Sequence, residues 1–394
     1  MHALDILSGI LQKSCTHIHA TRLASLLAAV EAAIHGNRLT LSDLGRGLTS
    51  RVSIKHKIKR VDRLLGNTAL HSEIPSLYEA LARPLLAGLK KPRIVVDWSD
   101  ITPDRQWQWL RAALVSEGRS ITLYEQVHPI TQAQSMHAHK MLLAHLARML
   151  PEGSTPILIT DAGFRGTWFA LVESLCWHWV GRIRNRDMLR KTGENAWQGC
   201  KTLYARATAQ AQDLGAYDYV RSRPVAVRLI CVKRIPKGRH KKSRQGQRVR
   251  SSHSQKHARG QQEPWLLAAS PGLADVDANT IVAIYASRMQ IEEAFRDVKS
   301  ERFGLGFAAG RSAQQARWAV LLLIANLAMF VLRCVGTACK NIKAESRFQS
   351  NTRRTRAVLS VISLGLQSIR CHAVSFTRRE MRAAFDQVLY QGIL

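Results

Sequence analysis

The chain has 394 residues, 46% hydrophobic and 22% charged, a globular composition that excludes collagen-like and mucin-like classes and leaves room for two or three domains. Its 58 Lys and Arg against 28 Asp and Glu leave a formal charge of +30, which points to a polyanion partner, most often nucleic acid. The longest apolar run, 318–332, contains Asn326 and is shorter than the roughly 20 residues a bilayer span needs, so it reads as a buried helix and no membrane partner is expected.

Seven cysteines form no CxxC pair, which favours reduced thiols in a cytoplasm over a zinc site or a disulfide framework. The first residues lack a basic n-region and a cleavage site, so no signal peptide is expected. Residues 1 to about 85 carry Leu, Ala and Ile at helical spacing. Within them, 40–66 reads as a short helix capped by Ser42, a turn at Gly47 and 49–50, and a second helix bearing Arg51, Lys55, Lys57, Lys59 and Arg60. That pattern resembles a helix-turn-helix placed to contact DNA; a solvated basic helix in a bundle is the plainer alternative.

From residue 91 the texture changes. Strands are expected at 93–98, 107–115 and 120–127, then a helix at 132–150, a strand ending at Asp161, a helix near 168–175 and a strand near 177–183. Three strands followed by alternating α and β is the succession of a ribonuclease-H-like fold, an α/β class with a mixed five-stranded sheet covered by helices. In that fold the first and fourth strands are neighbours, which would set Asp97 beside Asp161. The block 185–270 breaks the pattern: strands at 225–232 and 265–269 flank a polar stretch, 233–262, with 11 Lys and Arg, read as a loop that orders on a phosphate backbone.

Residues 281–300 read as one helix. At roughly 100° per residue, Ile284, Ile291, Ala294, Phe295 and Val298 form the core stripe, while Tyr285, Arg288, Glu292, Arg296 and Lys299 form a polar row beside it. Glu293 and Asp297 fall toward the expected solvent side, so Glu292 is the preferred functional carboxylate. A long apolar helix, 314–334, and a basic helical tail follow. Asp97, Asp161 and Glu292 would repel one another without a divalent metal, and hard oxygen ligands suit Mg²⁺ or Mn²⁺.

The spacing Tyr285, Arg288, Glu292, Lys299 is similar to the Y-x2-R-x3-E-x6-K signature of the DDE transposases of bacterial insertion sequences, in the families named for insertion sequences four and ten. VDWSD around Asp97, DRLLGN at 62–67, GRSITLYE at 118–125 and TDAGF at 160–164 extend the resemblance over nearly the whole chain. It implies a catalytic triad of Asp97, Asp161 and Glu292 holding two Mg²⁺, for which Mn²⁺ may substitute. It implies phosphate contacts by Tyr285, Arg288, Arg296 and Lys299, although Lys is the common residue where Arg296 stands. It also implies that Trp265 stacks on a flipped base, its alternative being a core Trp. The layout it implies is a helical DNA-binding domain at 1–88, a core at 89–184 and 276–335, a β-rich insertion at 185–275 and a helical region at 336–394.

The activity implied is cut-and-paste transposition: binding of terminal inverted repeats, 3′ nicking, hairpin formation and resolution, and strand transfer into target DNA by a homodimer on the bacterial nucleoid in the cytoplasm. A nuclease with the same metal site and a DNA-binding repressor that no longer cuts are the competing readings. The long insertion and the Arg/Lys row disfavour the first, and the presence of all three carboxylates disfavours the second.

Overall fold

A computed structural model describes residues 2–390 except 37, 185–186, 236–246, 248–250, 253–261, 303, 351 and 353–357. The expected basic loop at 233–262 falls mostly outside the described residues. The chain forms two compact units, residues 1–154 with 289–394, and residues 155–288.

The first unit opens with helices α1 (His2–Ser14), α2 (Ala20–His35), α3 (Leu41–Gly47), α4 (Ile54–Leu65) and α5 (Thr68–Leu86). Thr40, not Ser42, caps α3: its side chain accepts from the Asp43 amide at 3.1 Å, because the cap must precede the first helical turn. Residues α3 and α4 cross closely enough that a Cβ on Gly45 would lie 2.6 Å from Ile58 Cα, so glycine permits the contact. Arg51 precedes α4 rather than lying on it. A three-stranded antiparallel sheet follows, with β1 (Arg93–Asp100) paired to β2 (Trp107–Leu114) and β2 to β3 (Ile121–Pro129). Ile94, Val95 and Val96 are fully buried, β-branched residues that suit a covered strand.

Helix α6 (Met136–Met149) starts at a Ser135 cap that accepts from the Ala138 amide. After the second unit in sequence come α9 (Met289–Lys299), α10 (Gln315–Asn341), α11 (Val361–Cys371) and α12 (Arg378–Leu389). Helix α10 has the length and hydropathy of a membrane span, yet 89% of its most apolar window is buried, packed against α2, α5, α11, α12 and β3 as the central core helix. Gly336 and Gly365 let α10 and α11 meet at backbone distance.

The second unit holds β4 (Ile157–Thr160), α7 (Gly166–Glu173), β5 (His178–Ile183), β6 (Met188–Lys191), β7 (Trp197–Gly199), β8 (Gln212–Tyr219), β9 (Val225–Val232), β10 (Trp265–Ala269) and α8 (Ala278–Ala286). Strands β4 and β5 are parallel, whereas β10 lies antiparallel between β5 and β9. The strands expected as an insertion thus continue the sheet begun by β4 and β5. The Phe169 ring stacks on Trp179 at 3.8 Å, and a Cβ on Gly181 would collide with it at 2.7 Å.

The helix expected at 281–300 is two helices. Ser287 ends α8: its backbone amide bonds back to Ala283, Ile284 and Tyr285 carbonyls, and its hydroxyl donates to the Ile284 carbonyl at 2.6 Å. A side-chain bond to a backbone carbonyl competes with helix continuation. The apolar period runs through this break, which is why periodicity conceals it.

Candidate active site

In the first unit, Asp97 lies on β1 directly after the buried Ile94, Val95 and Val96, where burial falls to half-exposed. Its Oδ1 accepts from the Trp98 amide at 2.8 Å, which orients the carboxylate. The Trp98 indole N–H donates to His139 Nε2 at 3.2 Å and its ring lies 5.5 Å from that of His128, so α6 and β3 hold the residue next to Asp97. Burial pushes the His139 imidazole down to about 4, leaving it neutral and able to accept.

Helix α9 packs over the same sheet. Phe295 meets Trp109 edge-on with centroids 4.8 Å apart, and Ile291 and Val298 are buried beside it. Glu292 is exposed. Glu293 and Asp297 do not point to solvent as expected. Asp297 is 2% exposed and accepts from Arg119 Nε at 2.7 Å; Glu293 pairs with Arg119 at 3.4 Å and with Arg296. Arg119 comes from the turn between β2 and β3, far away in sequence, and that partner turns an expected outer face into a buried one. Burial raises the Asp297 carboxyl, and the Arg119 guanidinium opposes the rise.

Lys299 closes α9 onto β1. Its ammonium donates to Ser99 Oγ at 2.7 Å and to the Asp100 carbonyl, and burial pulls it down to about 8. Arg296 is exposed. On α4, Arg51, Lys55, Lys59 and Arg60 are exposed and Lys57 is half-buried, with Val61, Leu64 and Leu65 turned to the core.

In the second unit, Asp161 follows β4 immediately. Its Oδ1 accepts from the Gly163 amide at 2.8 Å, a tight turn that presents the carboxylate at the strand's end before α7 begins. Tyr285 is 5% exposed, not part of an open polar row: it packs edge-on to Trp265 at 5.0 Å. Burial raises its phenol, Arg288 and Arg182 oppose that, and Asp161 adds to it, so these four charged or polar groups share one neighbourhood. Trp265 is half-buried with Arg234 over its ring at 4.8 Å.

Two residues escaped the sequence reading. Arg111, opposite Asp97 in the β1–β2 register, and Glu125, opposite Arg111 in β2–β3, form a buried ion pair at 2.5 Å. A lone charge inside WQWLRAAL was the available signal, since Arg is almost never fully buried unless paired. Among the described residues, no group of three His, Cys, Asp or Glu side chains is gathered as a metal cluster. Asp97 in the first unit and Asp161 in the second are each carboxylates oriented by a backbone amide, and hard oxygen donors of that kind, like the Glu292 carboxylate, suit Mg²⁺ or Mn²⁺.

Helices flank strands that pair antiparallel in the first unit and both parallel and antiparallel in the second, an α/β protein in which Asp97 sits on β1 and Asp161 directly follows β4. Residues 88–327 match the family model described as Transposase DDE domain, and the chain belongs to that family; it is a DDE transposase. A solved structure, the cryo-EM structure of piggyBac transposase synaptic complex with hairpin DNA, is similar at 12% identity and a TM-score of 0.42, covering 96% of this chain and 80% of that one. No curated protein matches the sequence.

Proposed function

We propose that the protein is the transposase of an insertion sequence of the type carrying the Y-R-E-K signature, and that it excises and joins its element by a cut-and-paste route. The observation that carries this reading is the placement of Asp97 on β1 and of Asp161 directly after β4 inside the family-matched region, with exposed Glu292 on a helix anchored to β1 by Lys299. Asp97, Asp161 and Glu292 would hold two Mg²⁺, or Mn²⁺ in their place. When bound, such ions supply activation of a water or 3′ hydroxyl and charge stabilisation at the leaving oxygen. Nicking, hairpin formation, resolution and strand transfer then need no protein nucleophile, because water and DNA hydroxyls attack in turn.

The other residues bind and orient. Arg288 and Arg296 suit terminal phosphates as guanidinium partners. Tyr285 braces Trp265, whose ring is the candidate platform for an extruded base, a contact worth roughly 1–3 kcal/mol. Lys299 orders the end of β1 and is a cation within reach of the same chemistry. Arg51, Lys55, Lys57, Lys59 and Arg60 would meet the backbone of the terminal inverted repeats, and two copies would pair two ends in a homodimer on DNA, within the cytoplasm and without a membrane.

The test is cleavage of a linear duplex carrying the element's end, with and without Mg²⁺, by the unmodified protein, Glu292→Ala and Glu293→Gln. Metal-dependent nicking and joining that vanish only in Glu292→Ala support the reading. Binding without metal-dependent cutting by the unmodified protein overturns it.

A further inference from the structure

The sheet row that carries Asp97 also carries Arg111 and Glu125. Antiparallel register sets Asp97 opposite Arg111 and Arg111 opposite Glu125. Directly opposed residues project from one face with Cβ atoms roughly 4.5–5.5 Å apart. One guanidinium therefore stands between two carboxylates.

Its ion pair is with Glu125. Arg111 Nε donates to Glu125 Oε1 at 2.5 Å, with the two side chains 2% and 1% exposed. Glu125 is fixed from two further directions: Trp109 Nε1 donates to Oε1 at 3.0 Å, and the Tyr78 hydroxyl on α5 donates to Oε2 at 2.8 Å. The guanidinium lies over two rings, 4.2 Å from the Trp109 centroid and 4.9 Å from that of Phe295, the latter on the helix that bears Glu292. The nearby Lys299 is tied to Ser99 and Asp100.

A buried guanidinium that loses its carboxylate is an uncompensated charge, and the next carboxylate along the row is Asp97. A cation settled there would compete with a divalent ion for the same oxygens. We propose that Glu125 is a positioning residue that retains Arg111 and so keeps Asp97 available to a divalent cation. The proposal rests on the reading of Asp97 as a metal-binding carboxylate. It makes Glu125 a control on metal affinity through a residue that touches neither metal nor DNA.

The probe is Mn²⁺, followed by its electron paramagnetic resonance signal as it is titrated into the full chain, with thermal melts to confirm folding. Partners of this kind change metal affinity by about 10–100-fold, so Glu125→Gln is expected to weaken Mn²⁺ binding by about tenfold or more. Removing the displaced cation as well, in Glu125→Gln with Arg111→Met, is expected to restore affinity to within about threefold of the unmodified protein, since nothing is then left to compete. A loss of general stability alone would lower both variants together. Unchanged Mn²⁺ affinity in Glu125→Gln, or a double variant as weak as the single one, overturns the proposal. Where Glu125→Gln does not fold, Arg111→Met decides: affinity kept within about threefold supports the proposal, and a tenfold loss overturns it. Asp97→Asn separates the two levels: Mn²⁺ uptake by the unmodified protein that Asp97→Asn leaves intact overturns the metal reading itself, and the proposal with it.

Discussion

Phe295 meets the Trp109 ring edge-on at 4.8 Å, and Glu292 lies three positions earlier on the same helix. Residues three apart are neighbours on a helix surface, so the contact that buries Phe295 also sets where Glu292 stands above β1. Phe295→Ala is expected to destabilise the protein by about 3–5 kcal/mol. Phe295→Leu should cost less and retain DNA binding while slowing cleavage, as read by chemical denaturation, gel shift and nicking. Full cleavage rates in Phe295→Leu would show that the ring does not place Glu292.

Acid should loosen the fold through two imidazoles. His139 Nε2 accepts from the Trp98 indole and His145 Nδ1 from Arg148, so each is neutral at the accepting nitrogen, and burial pushes both down to about 4. The unfolded chain, with His near 6.5, binds more protons than the folded one between those values. The stability they protect is therefore complete above about pH 6.5 and is lost as pH falls toward about 4. Melting temperature should drop across that window, and less steeply in His145→Gln. Identical slopes for the variant and the unmodified protein would contradict this.

The crossing of α10 and α11 should be intolerant of a single methyl group. A Cβ on Gly365 would lie 2.0 Å from the Leu332 carbonyl oxygen, and one on Gly336 would lie 1.9 Å from that of Val361. Gly365→Ala should cost about 1–3 kcal/mol or more, since backbone cannot yield as a side chain does. Gly9→Ala, in α1 with open space around it, should be neutral or stabilise by up to about 1 kcal/mol. Thermal melts of the two variants side by side give the comparison.

Salt dependence tests the α4 cations. Each phosphate neutralised on duplex DNA contributes about 0.9 to the slope of log affinity against log salt. Lys55→Gln and Lys59→Gln, at exposed positions, should each lower that slope by about one and weaken binding without regard to sequence. An unchanged slope in both would remove this helix from the DNA interface.

Much of the local structure was legible because it is local. Ile94, Val95 and Val96 announce a covered strand, Pro151 announces the end of α6, and Thr160 to Gly163 announce a strand that stops at a carboxylate. What escaped depends on distant partners. Asp297 reads as a solvent residue until Arg119 reaches it, and Tyr285 reads as part of a polar row until Trp265 covers it. The end of α8 at Ser287 was hidden for another reason: the apolar spacing continues in phase on both sides, so periodicity alone reports one helix. Arg111 and Glu125 became a pair only once the register of β2 and β3 was known.

The first unit is built from two stretches of chain, 1–154 and 289–394. During synthesis Trp109 is made long before Phe295, the ring that covers it. At roughly 5–20 residues per second a ribosome takes about 10–40 s to supply that cover. Until then the face of β2 and β3 that holds Arg111, Glu125 and Trp109 is exposed on a nascent polypeptide, unable to reach its native burial and open to chaperones. A message cut short before codon 289 would therefore yield an insoluble fragment in place of a partial enzyme.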